Sequence, residues 1–246
     1  MGGLKWEYFL SSASGKMRTV VITGAAGNLG QVVARTFAEA GARLVLVDLK
    51  HEALTKAFGA DEETRMLAAT DLLDQEEVDA TVQKAIARFQ RLDVLCNIAG
   101  GFRMGQAVHE TTDATWNFLF DVNVRTLLNM VRAVVPRMLQ EGSGKVINVG
   151  ANSAQRGLAR MGPYCASKSA VIRLTESMAA ELREHGINVN CVLPTVIDSP
   201  ENRASMPDAD PSRWVAPADL AQTILFLASP AARAIHGAAL PVAALS

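Results

Sequence analysis

The sequence predicts an α/β protein, a single domain built on a doubly wound parallel sheet of about seven strands with helices on both faces. Three observations predict it. From Arg18 onward, short β-branched runs alternate with longer helical patterns. Several of those runs are apolar throughout instead of alternating, as expected of strands covered on both sides. The first run, 18–23, also leads straight into the glycine-punctuated turn Thr23-Gly-Ala-Ala-Gly-Asn-Leu-Gly30.

Taken in order, strands are expected over 18–23 (RTVVIT), 43–48 (RLVLVD), 65–69, 93–98 (DVLCNI), 145–150 (KVINVG), 187–193 (INVNCVL) and 238–243. Between them the periodicity predicts helices over 28–40, 51–58, 75–90, 112–140, 163–185 and 217–229. A glycine turn between a strand and a helix is the setting that makes such a turn a dinucleotide site, so the domain reads as Rossmann-like. Residues 195–216 break the rhythm, with three prolines and little periodicity. A long loop after a strand end, where open α/β sheets bind ligands, is expected to be a substrate lid. A structural excursion or an oligomer contact is the other reading.

Composition narrows the function. The 246 residues carry a net charge of −1 with acids and bases interspersed, so no basic stripe points to nucleic acid. No run of about 20 apolar residues suggests a membrane span. Residues 1–16 lack the pattern of a signal peptide and read as an N-terminal arm, native or left from expression. Met17 opens the domain expected over 17–246. Cys96, Cys165 and Cys191 are few, odd in number and widely spaced. They argue against a disulfide framework and for a reducing, cytoplasmic location. His51, His109, His185 and His236 have no zinc-ligand spacing, so no metal is expected.

The turn supplies the cofactor site. Gly24 permits a tight bend, Gly27 lets amides approach a pyrophosphate, and Gly30 lets the helix pack closely on the sheet. Ala26, Asn28 and Leu29 complete the turn, and the helix N-terminus adds partial positive charge. Asp48 ends the second strand, where an acid meets the adenosine ribose and repels a 2′-phosphate. NAD is therefore expected over NADP, although Lys50 could partner a phosphate. Asp71, with Leu72, follows the third strand and faces adenine or merely flanks a helix. Asn97-Ile-Ala99-Gly100 ends the fourth strand, where small residues leave room for the cofactor.

Tyr164 and Lys168 stand one helical turn apart, on one face. A phenol is a poor acid–base catalyst at neutral pH, and a nearby ammonium favours its ionised form. The pair is expected to work as a proton-transfer couple.

In this order, the glycine turn, Asn97-x-Ala-Gly, Asn123 in Phe120-Asp-Val-Asn-Val124 and Tyr164-x-x-x-Lys168 resemble the short-chain dehydrogenase/reductase family over 18–243. The resemblance implies a nicotinamide-dependent enzyme acting on a small carbonyl or alcohol. Tyr164 would be its general acid/base, Lys168 would lower the tyrosine pKa and hold the nicotinamide ribose, and Asn123 would hold a relay water. Pro194 and Val196 join the implied cofactor set. The family's serine position falls on Ala151, so Ser153, Asn152 or no side chain takes that part. Ala151 and the Gly-x-x-Gly-x-x-Gly spacing also resemble the dihydropteridine reductase branch, an alternative, while a non-catalytic dinucleotide sensor is the remaining one. Helices 112–140 and 163–185 are apolar around much of their surface, and the family buries such helices in homo-oligomers, so a dimer or tetramer is expected.

Overall fold

A computed structural model describes residues 17–246. The expectations for 1–16 fall outside the described residues. Seven parallel strands form one sheet in the order β3-β2-β1-β4-β5-β6-β7. They are β1 Thr19–Thr23, β2 Arg43–Asp48, β3 Arg65–Ala69, β4 Val94–Asn97, β5 Gly144–Val149, β6 Ile187–Pro194 and β7 Ala239–Val242. The helices are α1 Asn28–Glu39, α2 His51–Phe58, α3 Gln75–Phe89, α4 Asp113–Phe120, α5 Thr126–Glu141, α6 Gly162–Leu182, α7 Pro200–Ser205 and α8 Pro217–Ala228.

Side chains alternate across each strand, so one strand feeds two cores. In β1, Val20 and Ile22 face a cluster with Phe37 of α1 and Leu220, Ile224 and Leu227 of α8. Val21 faces the other way, into a cluster with Val82 of α3, Met130 and Met138 of α5 and Val171 of α6. All five residues of β1 are buried, which explains why its sequence shows no alternation. Strands β1 and β4 are neighbours although not consecutive, with Val20 paired to Val94 and Thr23 to Asn97. Their carboxyl ends form the switch point where the chain leaves in opposite directions, and a cleft opens there.

Two expectations need correction. The helix expected over 112–140 is interrupted: Asp121–Arg125 is a π-helical turn between α4 and α5. The wider turn carries Asn123, whose buried side chain is bonded to Gly101 instead of lying on a regular helix face. The segment 195–216 is also more ordered than its three prolines suggest. Ser199 caps α7 by accepting from Asn202 N, Asp210 caps a short 3-10 turn at Pro211–Arg213, and Ile197 bridges Val215. Proline at the first position of a helix replaces a donor that would be unsatisfied there, so two of the prolines start helices.

Phe37 is fully buried between the sheet and α8, whereas Phe226 on α8 is 38% exposed. Phe37→Ala is expected to lower unfolding free energy by about 3–5 kcal/mol, and Phe226→Ala by less than about 1 kcal/mol. Urea denaturation of the two variants measures the contrast.

Candidate active site

The glycine turn is held from three sides. Thr23 Oγ1 accepts hydrogen bonds from the amides of Ile98 and Ala99, each at 3.1 Å, and ties the end of β1 to the segment leaving β4. Ala25 N donates to Val47 O at 3.1 Å, and Ala26 N donates to Asp48 Oδ2 at 2.9 Å. Gly24 has φ +62°, and a Cβ there would stand 2.9 Å from Ala99 Cα. A side chain is thus opposed both by strain and by a neighbouring backbone. A Cβ on Gly30 would lie 2.1 Å from Gly24 O and 2.8 Å from Ala25 Cα. The need for glycine at 30 comes from the turn itself, not from contact with the sheet as the spacing suggested.

Helix α1 starts at Gly27 with no side-chain cap and no acid in its first turn, so its leading amides are open to an anion. They open on a cleft of about 720 Å³. Gly24 and the turn from Ala26 to Gly30 line it, with Asp48, Asp71, Leu72, Ala99 and Gly100. Thr70, Phe118, Val122 and Thr126 line it too, and sequence reasoning missed them. The last three flank Asn123 on α4, the π turn and α5, so the signal was their nearness to that residue. The Asp48 carboxylate also accepts from its neighbour Leu49 N at 2.8 Å, so two backbone amides fix its orientation. Asp71 Oδ1 accepts from Leu73 N at 2.9 Å.

Asn97, Pro194 and Val196 are not in the wall of this cleft, and neither are Tyr164 and Lys168. Asn97 is buried and donates to Asn148 Oδ1 at 2.9 Å, and Asn148 in turn donates to Thr175 Oγ1. Pro194 ends the fully buried β6, and Val196 O accepts from Val215 N at 2.8 Å within 195–216. The segment 195–216 also touches the turn: Asn28 Nδ2 donates to Glu201 Oε2 of α7 at 2.5 Å.

The floor of the site is desolvated. Lys168 is 5% exposed, and its Nζ donates to Val149 O at 2.8 Å. A Cβ on Gly100 would come within 3.2 Å of that Nζ and 2.9 Å of Asn123 Oδ1, so both groups lie against the same glycine. Asn123 accepts from Gly101 N and donates to Gly101 O, each at 3.0 Å, and donates to Ser167 Oγ at 3.1 Å. With both amide hydrogens used, its side chain braces the loop leaving β4. Tyr164 sits one turn before Lys168 on α6, its ring edge-on to Phe102 with centroids 4.8 Å apart.

Burial pushes the Tyr164 phenol up to about 12, helped slightly by Cys165. Burial also pulls Lys168 down to about 8. The expectation that Lys168 would lower Tyr164 is not met in the protein alone, where loss of water favours the neutral form of each group. Ala151 is buried at the position of the missing serine. Ser153 lies half-buried on the short turn Asn152–Gln155 and makes no side-chain hydrogen bond among the described residues. Asn152 accepts from Gln155 Nε2 at 2.5 Å.

The family model for short chain dehydrogenases matches residues 18–210. The chain belongs to the short-chain dehydrogenase family. It is 33% identical to D-threitol dehydrogenase of Mycolicibacterium smegmatis over 92% of this chain and 91% of that one. Its fold is similar to that of a gluconate 5-dehydrogenase from Burkholderia cenocepacia in complex with NADP and tartrate, at a TM-score of 0.86 and 29% identity. That match covers 97% of each chain. Carveol dehydrogenase from Mycobacterium avium in complex with NAD superposes at a TM-score of 0.85 and 25% identity, covering 95% of this chain and 97% of that one. This short-chain dehydrogenase is an oxidoreductase acting on alcohol or carbonyl groups of small molecules with a nicotinamide dinucleotide. Among the described residues no helix is long and apolar enough to cross a membrane, and no three metal-ligating side chains cluster.

Lys168 has a folded-state pKa of about 8 against an ordinary 10.5, so folding disfavours its proton. The resulting penalty is complete below about pH 8 and fades as pH rises to 10.5. Lys168→Met is expected to unfold at higher urea than wild type at pH 7, by up to about 3 kcal/mol. Parallel denaturation curves across that pH range should show the gap closing.

Proposed function

We propose that the protein is a cytoplasmic, NAD-preferring dehydrogenase of a small polyol or hydroxy acid, with Tyr164 as its general acid/base. The carrying observation is the convergence of Lys168 and Asn123 on Gly100 and Gly101, beside the helix turn that presents Tyr164. The cleft residues fit a dinucleotide. Glycines stand where a Cβ would fill the turn, uncapped helix amides suit a pyrophosphate, and a fixed carboxylate suits ribose hydroxyls.

Bound there, the nicotinamide ring would accept a hydride in oxidation and return it in reduction. Tyr164 takes the proton from the substrate hydroxyl as its C–H bond breaks, and gives it back to the carbonyl oxygen in the reverse direction. Lys168, with one donor fixed on Val149 O, has two left for ribose hydroxyls or for the Tyr164 side of the site. Asn123 is a positioning residue that fixes the Gly101 loop. Ser153 is the nearest hydroxyl in sequence to the lost serine position and would assist the substrate oxygen. Asp48 would select NAD by opposing a 2′-phosphate, and residues 195–216 would cover the substrate. The substrate class follows the similarity to the threitol and gluconate enzymes. The three free, buried cysteines support a reducing location. Exposed Trp116 on α4 and Leu139 on α5 support a dimer or tetramer.

Tyr164→Phe is expected to cut kcat at least about 100-fold while the Kd for NADH stays within about twofold, by steady-state kinetics and calorimetry. Unchanged turnover on an established substrate would refute the assignment. Asp48→Ser should raise kcat/KM with NADPH, relative to NADH, by about tenfold or more as the like-charge opposition is removed. An unaltered ratio would remove Asp48 from cofactor choice.

A further inference from the structure

A second cavity, of about 180 Å³, lies beside the Tyr164 end of α6. Its walls are Arg103, Met104, Gln106, Thr115, Arg160 and Pro163. Pro163 immediately precedes Tyr164, and Phe102, which packs on the Tyr164 ring, immediately precedes Arg103. Phe118 joins the two cavities: it lines the dinucleotide cleft and carries the Arg103 guanidinium on its ring face, 3.7 Å from the centroid. The small cavity is therefore a neighbour of both the proposed acid/base and the cofactor cleft.

Its charge is one-sided. Two guanidinium groups line it, no carboxylate does, and neither arginine has an ion-pair partner among the described residues. Contact with the Phe118 ring holds Arg103 and leaves N–H groups for a ligand. Arg160 is held by its own backbone. It adopts φ +60°, a region costly for a residue with a Cβ, and accepts from Gly105 N at 2.8 Å. Its Nη1 also donates to Gly105 O at 2.9 Å, which clasps the loop after β4 to the loop before α6 and leaves further donors free. Gln106 Oε1 is buried without a donor, a demand that a ligand hydroxyl would meet.

We propose that this cavity is the anion-recognition end of the substrate site. Arg103 and Arg160 select an alcohol or ketone that carries a small anionic oxygen group, carboxylate or phosphate, and Gln106 accepts from a hydroxyl next to it. The inference rests on the dehydrogenase reading above and adds the substrate's charge to it. A planar guanidinium meets such a group with two parallel hydrogen bonds, which fixes its direction relative to Tyr164 as well as its affinity.

Calorimetric titration of succinate and of inorganic phosphate into the full chain tests the proposal and separates the two anion classes. Binding of at least one is expected, weakened about 10- to 100-fold by Arg103→Leu and by Arg160→Gln, which keeps a donor for Gly105 O. Failure of both anions to bind, or binding that survives both substitutions, overturns the proposal. In a parallel NADH assay, 2-, 3- and 4-oxo acids are compared with their methyl esters. At least one acid should be preferred over its ester, and Arg103→Leu should erode that preference by a similar factor. Equal use of acids and esters, or a loss of NADH affinity in Arg103→Leu with the preference intact, also overturns it. If the anions bind as expected but wild type turns over no carbonyl or alcohol, the dehydrogenase reading fails and the anion site stands.

Discussion

Loss of water around one face of α6 sets the chemistry of this protein. A phenol and an ammonium one turn apart are withdrawn from solvent, the phenol partly and the ammonium almost wholly, so each is driven towards its neutral form, Tyr164 up to about 12 and Lys168 down to about 8. Proton transfer at working pH needs the reverse tendency, which nearby charge must supply. The large cleft lies beside Lys168, across Gly100. Gly100 admits Lys168 and Asn123 to within touching distance of the backbone that also walls that cleft. A side chain at 100 would displace both.

That arrangement depends on backbone approaching backbone at the switch point between β1 and β4. Thr23 bonds the amides of Ile98 and Ala99, and Gly24 presses on Ala99, so the glycine turn and the floor beside Lys168 share one scaffold. Behind it, Asn97, Asn148 and Thr175 form a buried chain of hydrogen bonds that links β4, β5 and α6. Buried polar groups of this kind cost much when unpaired, so the chain also favours a single register of strands and helix.

Much of this was legible in the sequence, for reasons that differ by residue. Strand 43–48 and helix 51–58 have the bounds expected, because apolar runs and periodicity report burial directly. The glycine turn and Asp48 were readable because sterics and charge restrict those positions locally. The π turn was not, because a widened turn leaves apolar spacing almost unchanged while moving Asn123 onto Gly101. Nor was the Tyr164 shift legible: spacing shows that a lysine is near, whereas desolvation depends on residues such as Phe102 that come from other elements. The order within the lid was hidden too, since its prolines read as breakers yet begin short helices.

The most direct test of the claim that burial, not the lysine charge, governs the tyrosine is the ionisation of Tyr164 in the protein without dinucleotide. It can be followed as the phenolate absorbance difference between wild type and Tyr164→Phe across pH. The account predicts a midpoint near 12. A midpoint at or below the ordinary 10.0 would contradict it.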